Sequence, residues 1–147
     1  MTGGNTVNEP VGRHAKDRKK MAVRALGGKP AITHYRLVTR FANHTRIAVN
    51  LETGRTHQIR VHMAYRKYPL IGDPVYGGRP RIPKGASDEL ITTLRSFPRQ
   101  ALHAMALGLI HPESKEQVQF ECPLAEDIEV LLDTLAREDR YDPNELY

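Results

Sequence analysis

One cysteine, no long apolar run and almost no acid in the first half are the sequence's most informative shortages. Cys122 alone cannot close an internal disulfide, which excludes a disulfide-stapled scaffold and fits a reducing cytoplasm; it is expected to be a small buried residue near the end of a strand. Nothing approaches the ~18–20 consecutive apolar residues of a membrane-spanning helix. Met1-Thr2-Gly3-Gly4-Asn5-Thr6 has neither a basic n-region nor an apolar h-region, so no secretory signal is expected. Neither Cys-x-x-Cys nor His-x-x-x-His occurs, and His57 and His62, five apart, do not share a helix face, so no metal site is expected. Repeats and low-complexity tracts are absent too.

From Val11 to Lys67 only Asp17 and Glu52 are acidic, against fourteen Lys and Arg. From Glu113 to Tyr147 the balance reverses, with eleven acids against three basic residues. This asymmetry points to one face suited to a polyanion and a C-terminal element kept away from it. Arginine outnumbers lysine in the basic stretch and makes bidentate phosphate contacts more readily. Nucleic acid is the first partner to consider, with Arg18, Lys19, Lys20, Arg36, Arg40 and Arg46 as the candidate contacts. Charge alone leaves open a solvated basic surface with no ligand.

The length of 147 residues and 39% hydrophobic content suit one domain with its own core. Residues 1–20, polar and basic, are expected as a surface loop. Met21 to Leu26 reads as a short strand, and Gly27-Gly28-Lys29-Pro30 as a turn. Ala31 to Phe41 and Thr45 to Leu51 read as a half-buried antiparallel hairpin around Ala42-Asn43-His44. Thr56 is placed to cap a helix from about His57 to Arg66, with Ile59 and Met63 as an i, i+4 apolar pair. Four prolines and four glycines between Tyr68 and Ala86 force a long ordered loop, of a length that is usually functional or disordered. Ser87 caps a helix to about Ser96. Ala101–Ile110 and Gln117–Cys122 form a second strand pair around His111-Pro112-Glu113-Ser114. Residues 125–140 form an amphipathic helix, with Ile128, Leu131, Leu132 and Leu135 on one stripe, packed against the sheet. The class is α+β, a largely antiparallel mixed sheet with flanking helices, without regular βαβ alternation.

Leu51-Glu52-Thr53-Gly54-Arg55-Thr56-His57-Gln58-Ile59-Arg60-Val61-His62-Met63 resembles the third conserved motif of RluA-type ribosomal RNA pseudouridine synthases. Gly72-Asp73-Pro74-Val75-Tyr76-Gly77 follows at the family's spacing. Gln100-Ala101-Leu102-His103-Ala104 and His111-Pro112 also look like family landmarks, and Gly78-Arg79-Pro80-Arg81 with Pro83-Lys84-Gly85 is similar to the RluD branch. The resemblance runs from residue 1 to near residue 136. It implies isomerisation of uridine to pseudouridine in 23S ribosomal RNA of the large subunit, in the helix 69 stem-loop for that branch, with no cofactor.

The chemistry breaks the C1′–N1 bond and rejoins the uracil through C5, so the nucleotide must leave its stack. An ionised aspartate acts on it, and an arginine in bidentate contact lowers that aspartate's pKa and fixes its direction. By the motif match this arginine is Arg60. Ile59 is expected as an apolar wall for the uracil or as plain core, Arg55 as a contact to the RNA backbone from near the helix start, and His57 and Gln58 as organisers of the turn. Gly54, Gly72, Asp73, Tyr76 and Gly77 are expected to be structural. Tyr35 is expected to pack or to touch RNA from its strand.

The family's His-Arg-Leu-Asp-x-x-Thr-Ser-Gly segment has no counterpart here, and Asp17 sits in unlike surroundings. The chain is therefore expected to be part of a catalytic domain, lacking the nucleophile segment and the N-terminal S4-like domain, with Arg60 unpaired and no activity alone. A non-catalytic RNA-binding or ribosome-associated module is the competing reading, and a complete enzyme using Asp73 as relocated nucleophile is a third.

Overall fold

The computed structural model describes residues 3–110 and 117–139, so the expected turn at His111–Ser114 lies outside them. The central hairpin forms where apolar and β-branched residues alternate. Strand β4 (Ile32–Arg40) runs antiparallel to β5 (Thr45–Leu51), with Tyr35 opposite Val49 and Leu37 opposite Ile47. Between Leu37 and Thr39 the register shifts, and Val38 is the extra residue of a β-bulge.

The expected loop over residues 1–20 is only partly one: residues 14–20 form it, whereas two strands precede them. Gly4–Asn8 forms β1, the second edge of a three-stranded sheet ordered β1-β4-β5. Val11–Arg13 forms β2, paired with β3 (Met21–Val23). The segment carries little apolar signal, but the residues it does carry are decisive: Val7 is fully buried and Val11 nearly so. Burying both, together with the ladder to β4, outweighs the polar composition. Strand β3 stops at Val23, short of the expected Leu26, which is 84% exposed. The Gly27-Gly28 turn follows as expected. Gly27 has φ of 80°, and a Cβ on Gly28 would lie 2.3 Å from the Arg24 carbonyl.

Helix α1 (Gln58–Tyr65) packs on one face of the sheet, where Val7, Tyr35 and Met63 form a buried cluster with Ile47, Val49, Ile59 and Leu70 against it. Val61 on the same helix joins Val11 and Ala31 in a second cluster. Thr56 does not cap this helix: His57 occupies the cap position in the left-handed region, at φ 55°, with no side-chain capping bond. Ser87 does cap α2 (Asp88–Ser96), accepting from the Leu90 N–H at 3.2 Å.

The C-terminal helix α3 (Glu126–Glu138) packs chiefly on α2 rather than on the sheet, burying Leu131 and Leu135 against Leu90 and Leu94. Phe41, from the end of the hairpin, reaches this cluster. Strands β6 (Ala106–Ile110) and β7 (Gln117–Glu121) pair antiparallel as expected, although the first begins at Ala106 rather than Ala101 and Cys122 beyond them is exposed, not buried. Every described strand pairing is antiparallel, in an α+β fold. Among the described residues no helix is long and apolar enough to cross a membrane.

Candidate active site

The turn into α1 is built around Gln58, which is 3% exposed. Its Nε2 donates to the Ile32 carbonyl at 3.1 Å and to Thr33 Oγ1 at 2.9 Å. Its Oε1 accepts from Thr53 Oγ1 at 2.7 Å and from the Arg55 N–H at 3.0 Å. All four hydrogen-bonding positions of the amide are therefore used, which is what a buried glutamine requires.

One helical turn on, His62 is fully buried and meets the same threonine. Its Nε2 donates to the Glu9 carbonyl at 2.8 Å, so its Nδ1 accepts from Thr33 Oγ1, also at 2.8 Å. Burial holds this imidazole below its ordinary pKa despite the Glu9 carbonyl. Thr33, Thr53 and His62 went unnoticed in the sequence as site-building residues. The available signal was the i, i+4 spacing of Gln58 and His62 facing a threonine on the inward register of β4.

Arg60, between Gln58 and His62 on this helix, forms a fork with Asp73. Nε meets Oδ2 and Nη2 meets Oδ1, each at 2.9 Å. The Asp73 side chain has no exposed surface and that of Arg60 is 10% exposed. Oδ1 also accepts the backbone N–H groups of Val75 and Tyr76 at 3.0 Å. Burial alone would raise the Asp73 pKa, but the Arg60 bonds and these two N–H groups together hold it below the usual carboxylate range. Hydrogen bonding to Asp73 raises that of Arg60. Arg60 is thus not without a carboxylate, as the sequence had suggested. The missing clue was that Gly72, at φ 75°, bends the loop back toward the helix; a Cβ there would lie 2.1 Å from the Arg99 carbonyl.

The Arg60 guanidinium also lies over the Tyr76 ring, 5.0 Å from its centroid. Tyr76 Oη accepts the Met21 N–H at 2.9 Å and lies 2.8 Å from His57 Nδ1, to which it can donate. Gly77 is needed where it stands, because a Cβ would come within 2.7 Å of the Asp73 carbonyl. Gly54 is different: a Cβ there would meet nothing, so no contact within the chain demands glycine.

The described bonds of the Arg60 guanidinium run through Nε and Nη2, leaving the end-on Nη1–Nη2 edge for a second acceptor. Asp73, in contrast, offers no carboxylate surface to a ligand. Arg55 reaches the Pro30 carbonyl through Nε at 2.9 Å, and Ile59 is partly buried against the Val7–Tyr35–Met63 cluster. Tyr35 packs in that cluster. Asp17 accepts from the backbone of Lys19 and Lys20 within its own turn.

Of the basic residues, Arg18, Lys19 and Lys20 lie on the loop between β2 and β3, immediately before Met21. Arg36 and Arg46 fall on the sheet face opposite the one α1 covers, by the period-two register. The bulge at Val38 sends Arg40 to the other side. Among the described residues no cluster of His, Cys, Asp and Glu could hold a metal ion.

Residues 2–65 match the family model described as RNA pseudouridylate synthase. The chain is 56% identical over 135 residues to the ribosomal large subunit pseudouridine synthase D of Salmonella typhimurium and to that of Escherichia coli K12, covering 92% of this chain and 41% of each relative. It is 52% identical over 138 residues to the enzyme of the same name in Vibrio vulnificus, covering 94% of this chain and 42% of the relative. The chain therefore spans about two-fifths of the length of these relatives. The structure is similar in fold to human RNA pseudouridylate synthase domain containing 4, with a TM-score of 0.70 at 22% identity, over 91% of this chain and 57% of that one.

Proposed function

Because the chain belongs to the RNA pseudouridylate synthase family, as an RluD-type member, we propose that it supplies the arginine side of the catalytic centre of a synthase acting on 23S ribosomal RNA, with the helix 69 stem-loop as target. The observation that carries this reading is Arg60. It is anchored by Asp73, stacked on Tyr76, and left with one guanidinium edge for another carboxylate. An arginine so fixed orients an incoming aspartate and keeps it ionised without any reorganisation at the moment of reaction. That aspartate comes from a part of the synthase outside these 147 residues. Asp73, saturated and without exposed surface, is the anchor rather than the reacting group.

In the reaction the C1′–N1 bond of the extruded uridine breaks, a C1′–C5 bond forms, the C5 proton leaves and N1 gains a proton. Atoms balance without a cofactor. The 18–20 loop and the Arg36/Arg46 face supply phosphate contacts that hold the RNA while the nucleotide is out of its stack. The setting is the cytoplasm, where ribosomal RNA is modified. The same basic surfaces support a second reading, a non-catalytic RNA-binding or ribosome-associated module.

Tritium release from C5-labelled uridine in a ribosomal RNA stem-loop or in large subunits tests both readings. The chain alone is expected to give none, and the chain joined to the N-terminal part of the Escherichia coli relative is expected to give release that Arg60→Ala abolishes. Release by the chain alone would make the second carboxylate unnecessary. Binding without release in the joined protein would leave the module reading.

A further inference from the structure

Tyr76 makes more connections than a loop-shaping residue needs. Its hydroxyl joins two separate elements: it accepts from the first residue of β3, Met21, at 2.9 Å and contacts His57 Nδ1 at 2.8 Å. Met21 directly follows Arg18-Lys19-Lys20, and His57 is the left-handed residue that opens α1. The ring of the same residue carries the Arg60 guanidinium 5.0 Å from its centroid, and stands edge-on to the His57 imidazole at 5.6 Å. Its backbone N–H bonds Asp73 Oδ1, the oxygen that also holds Arg60 Nη2.

We infer that Tyr76 is a positioning residue that couples the basic loop to Arg60, so that RNA phosphates gripped by Arg18, Lys19 and Lys20 fix the plane of the guanidinium. The left-handed cap supports this. A non-glycine residue at φ 55° is held against a backbone preference, and the Tyr76 hydroxyl is the side-chain partner described for it. Displacing the loop pulls on the Met21–Tyr76 bond. The ring can follow only by shifting under Arg60 and disturbing the backbone bond to Asp73. One side chain thus carries a phosphate contact to the catalytic centre, through packed and hydrogen-bonded neighbours rather than through solvent.

The inference rests on the proposed role of Arg60, and its test separates the two. In the full-length synthase, Tyr76→Phe keeps the ring under Arg60 and removes both hydroxyl bonds. We expect kcat at saturating RNA to fall about tenfold while the Kd for the stem-loop stays within twofold, a split that a general loss of structure would not produce. Neutralising the loop (Arg18→Ala, Lys19→Ala and Lys20→Ala together) is expected to lower kcat in the parent protein, beyond its effect on affinity, and to lower it no further in the Tyr76→Phe background. Additive effects, or an unchanged kcat for Tyr76→Phe, would overturn the coupling. Thermal midpoints of all variants check folding, and if Tyr76→Phe does not fold, Met21→Pro, which removes the N–H that Tyr76 Oη accepts at the first residue of β3, replaces it in the same cycle. A fully active Arg60→Lys would sink the reading of Arg60 itself, whereas an inactive Arg60→Lys with additive loop and Tyr76 effects would sink the coupling alone.

Discussion

Asp73 holds Arg60 by two parallel bonds of 2.9 Å, Oδ1 also accepts two N–H groups of its own loop, and the side chain has no surface open to solvent. A carboxylate so placed fixes an arginine instead of reacting. The pair also closes the loop after α1 onto the helix, so its consequences reach stability as well as chemistry.

Arg60→Ala leaves a buried aspartate without its counter-ion and is expected to destabilise the fold by about 3–5 kcal/mol. Urea unfolding measures it, as a lowered midpoint at similar slope. Replacing both partners with apolar residues, Arg60→Met with Asp73→Leu, is expected to cost less than either single change. A double variant as unstable as the sum of the singles would mean that the two side chains are not paired.

Gly72→Ala is expected to be worse than an ordinary loop substitution. The left-handed backbone costs an alanine about 1–2 kcal/mol, and a Cβ 2.1 Å from the Arg99 carbonyl forces the loop to move. The change displaces Asp73, so the pseudouridine formation proposed for the full-length protein should fall with stability. A thermal midpoint equal to that of the parent would contradict the geometry.

These two positions show how unevenly the sequence spoke. The hairpin, the Ser87 cap and the apolar pair Ile59 and Met63 were legible because periodicity and capping are local signals. The first two strands were not, since Val7 and Val11 earn their burial only through partners far along the chain. The Arg60–Asp73 pair spans thirteen residues, and motif matching pointed to both without showing that they meet. The left-handed His57 was invisible for the same reason: Tyr76, nineteen residues away, holds it.

Acid should weaken the fold in two stages. His62 is buried as the neutral imidazole with its pKa depressed, so the unfolded chain binds a proton first as pH falls. Its contribution is complete above the ordinary imidazole value of 6.5 and declines below it. The Asp73 contribution persists further and is lost only as pH falls below the ordinary carboxylate value of 3.8. Urea midpoints measured from pH 8 to pH 4.5 should therefore fall with acid, and His62→Asn should reduce that slope while lowering stability at pH 8. An unchanged slope in the variant would remove His62 as the source.

Affinity for the RNA proposed as partner should fall as salt rises, because phosphate contacts release counterions. Arg36→Ala and Arg46→Ala are each expected to reduce the slope of log affinity against log salt by about one. Arg40→Ala, on the opposite side of the sheet, should change it less. Fluorescence anisotropy with a stem-loop from 50 to 300 mM salt decides between them, and equal effects of all three arginines would mean that the open sheet face is not the docking surface.

The bulge at Val38 makes this hairpin a two-part device. Strand residues normally keep to one side by odd or even number, and here that parity changes partway along β4. The inner half, Thr33 to Leu37, is committed to the core row against α1, while the outer half, Thr39 to Arg40 with its partners Arg46 and Thr45, can exchange sides without disturbing it. Adding or losing a residue at this one place would re-aim the tip's charges and spare the helix that carries Arg60. The hairpin can thus vary what it grips without disturbing α1, while Phe41 beyond the bulge ties its tip to the α2–α3 cluster.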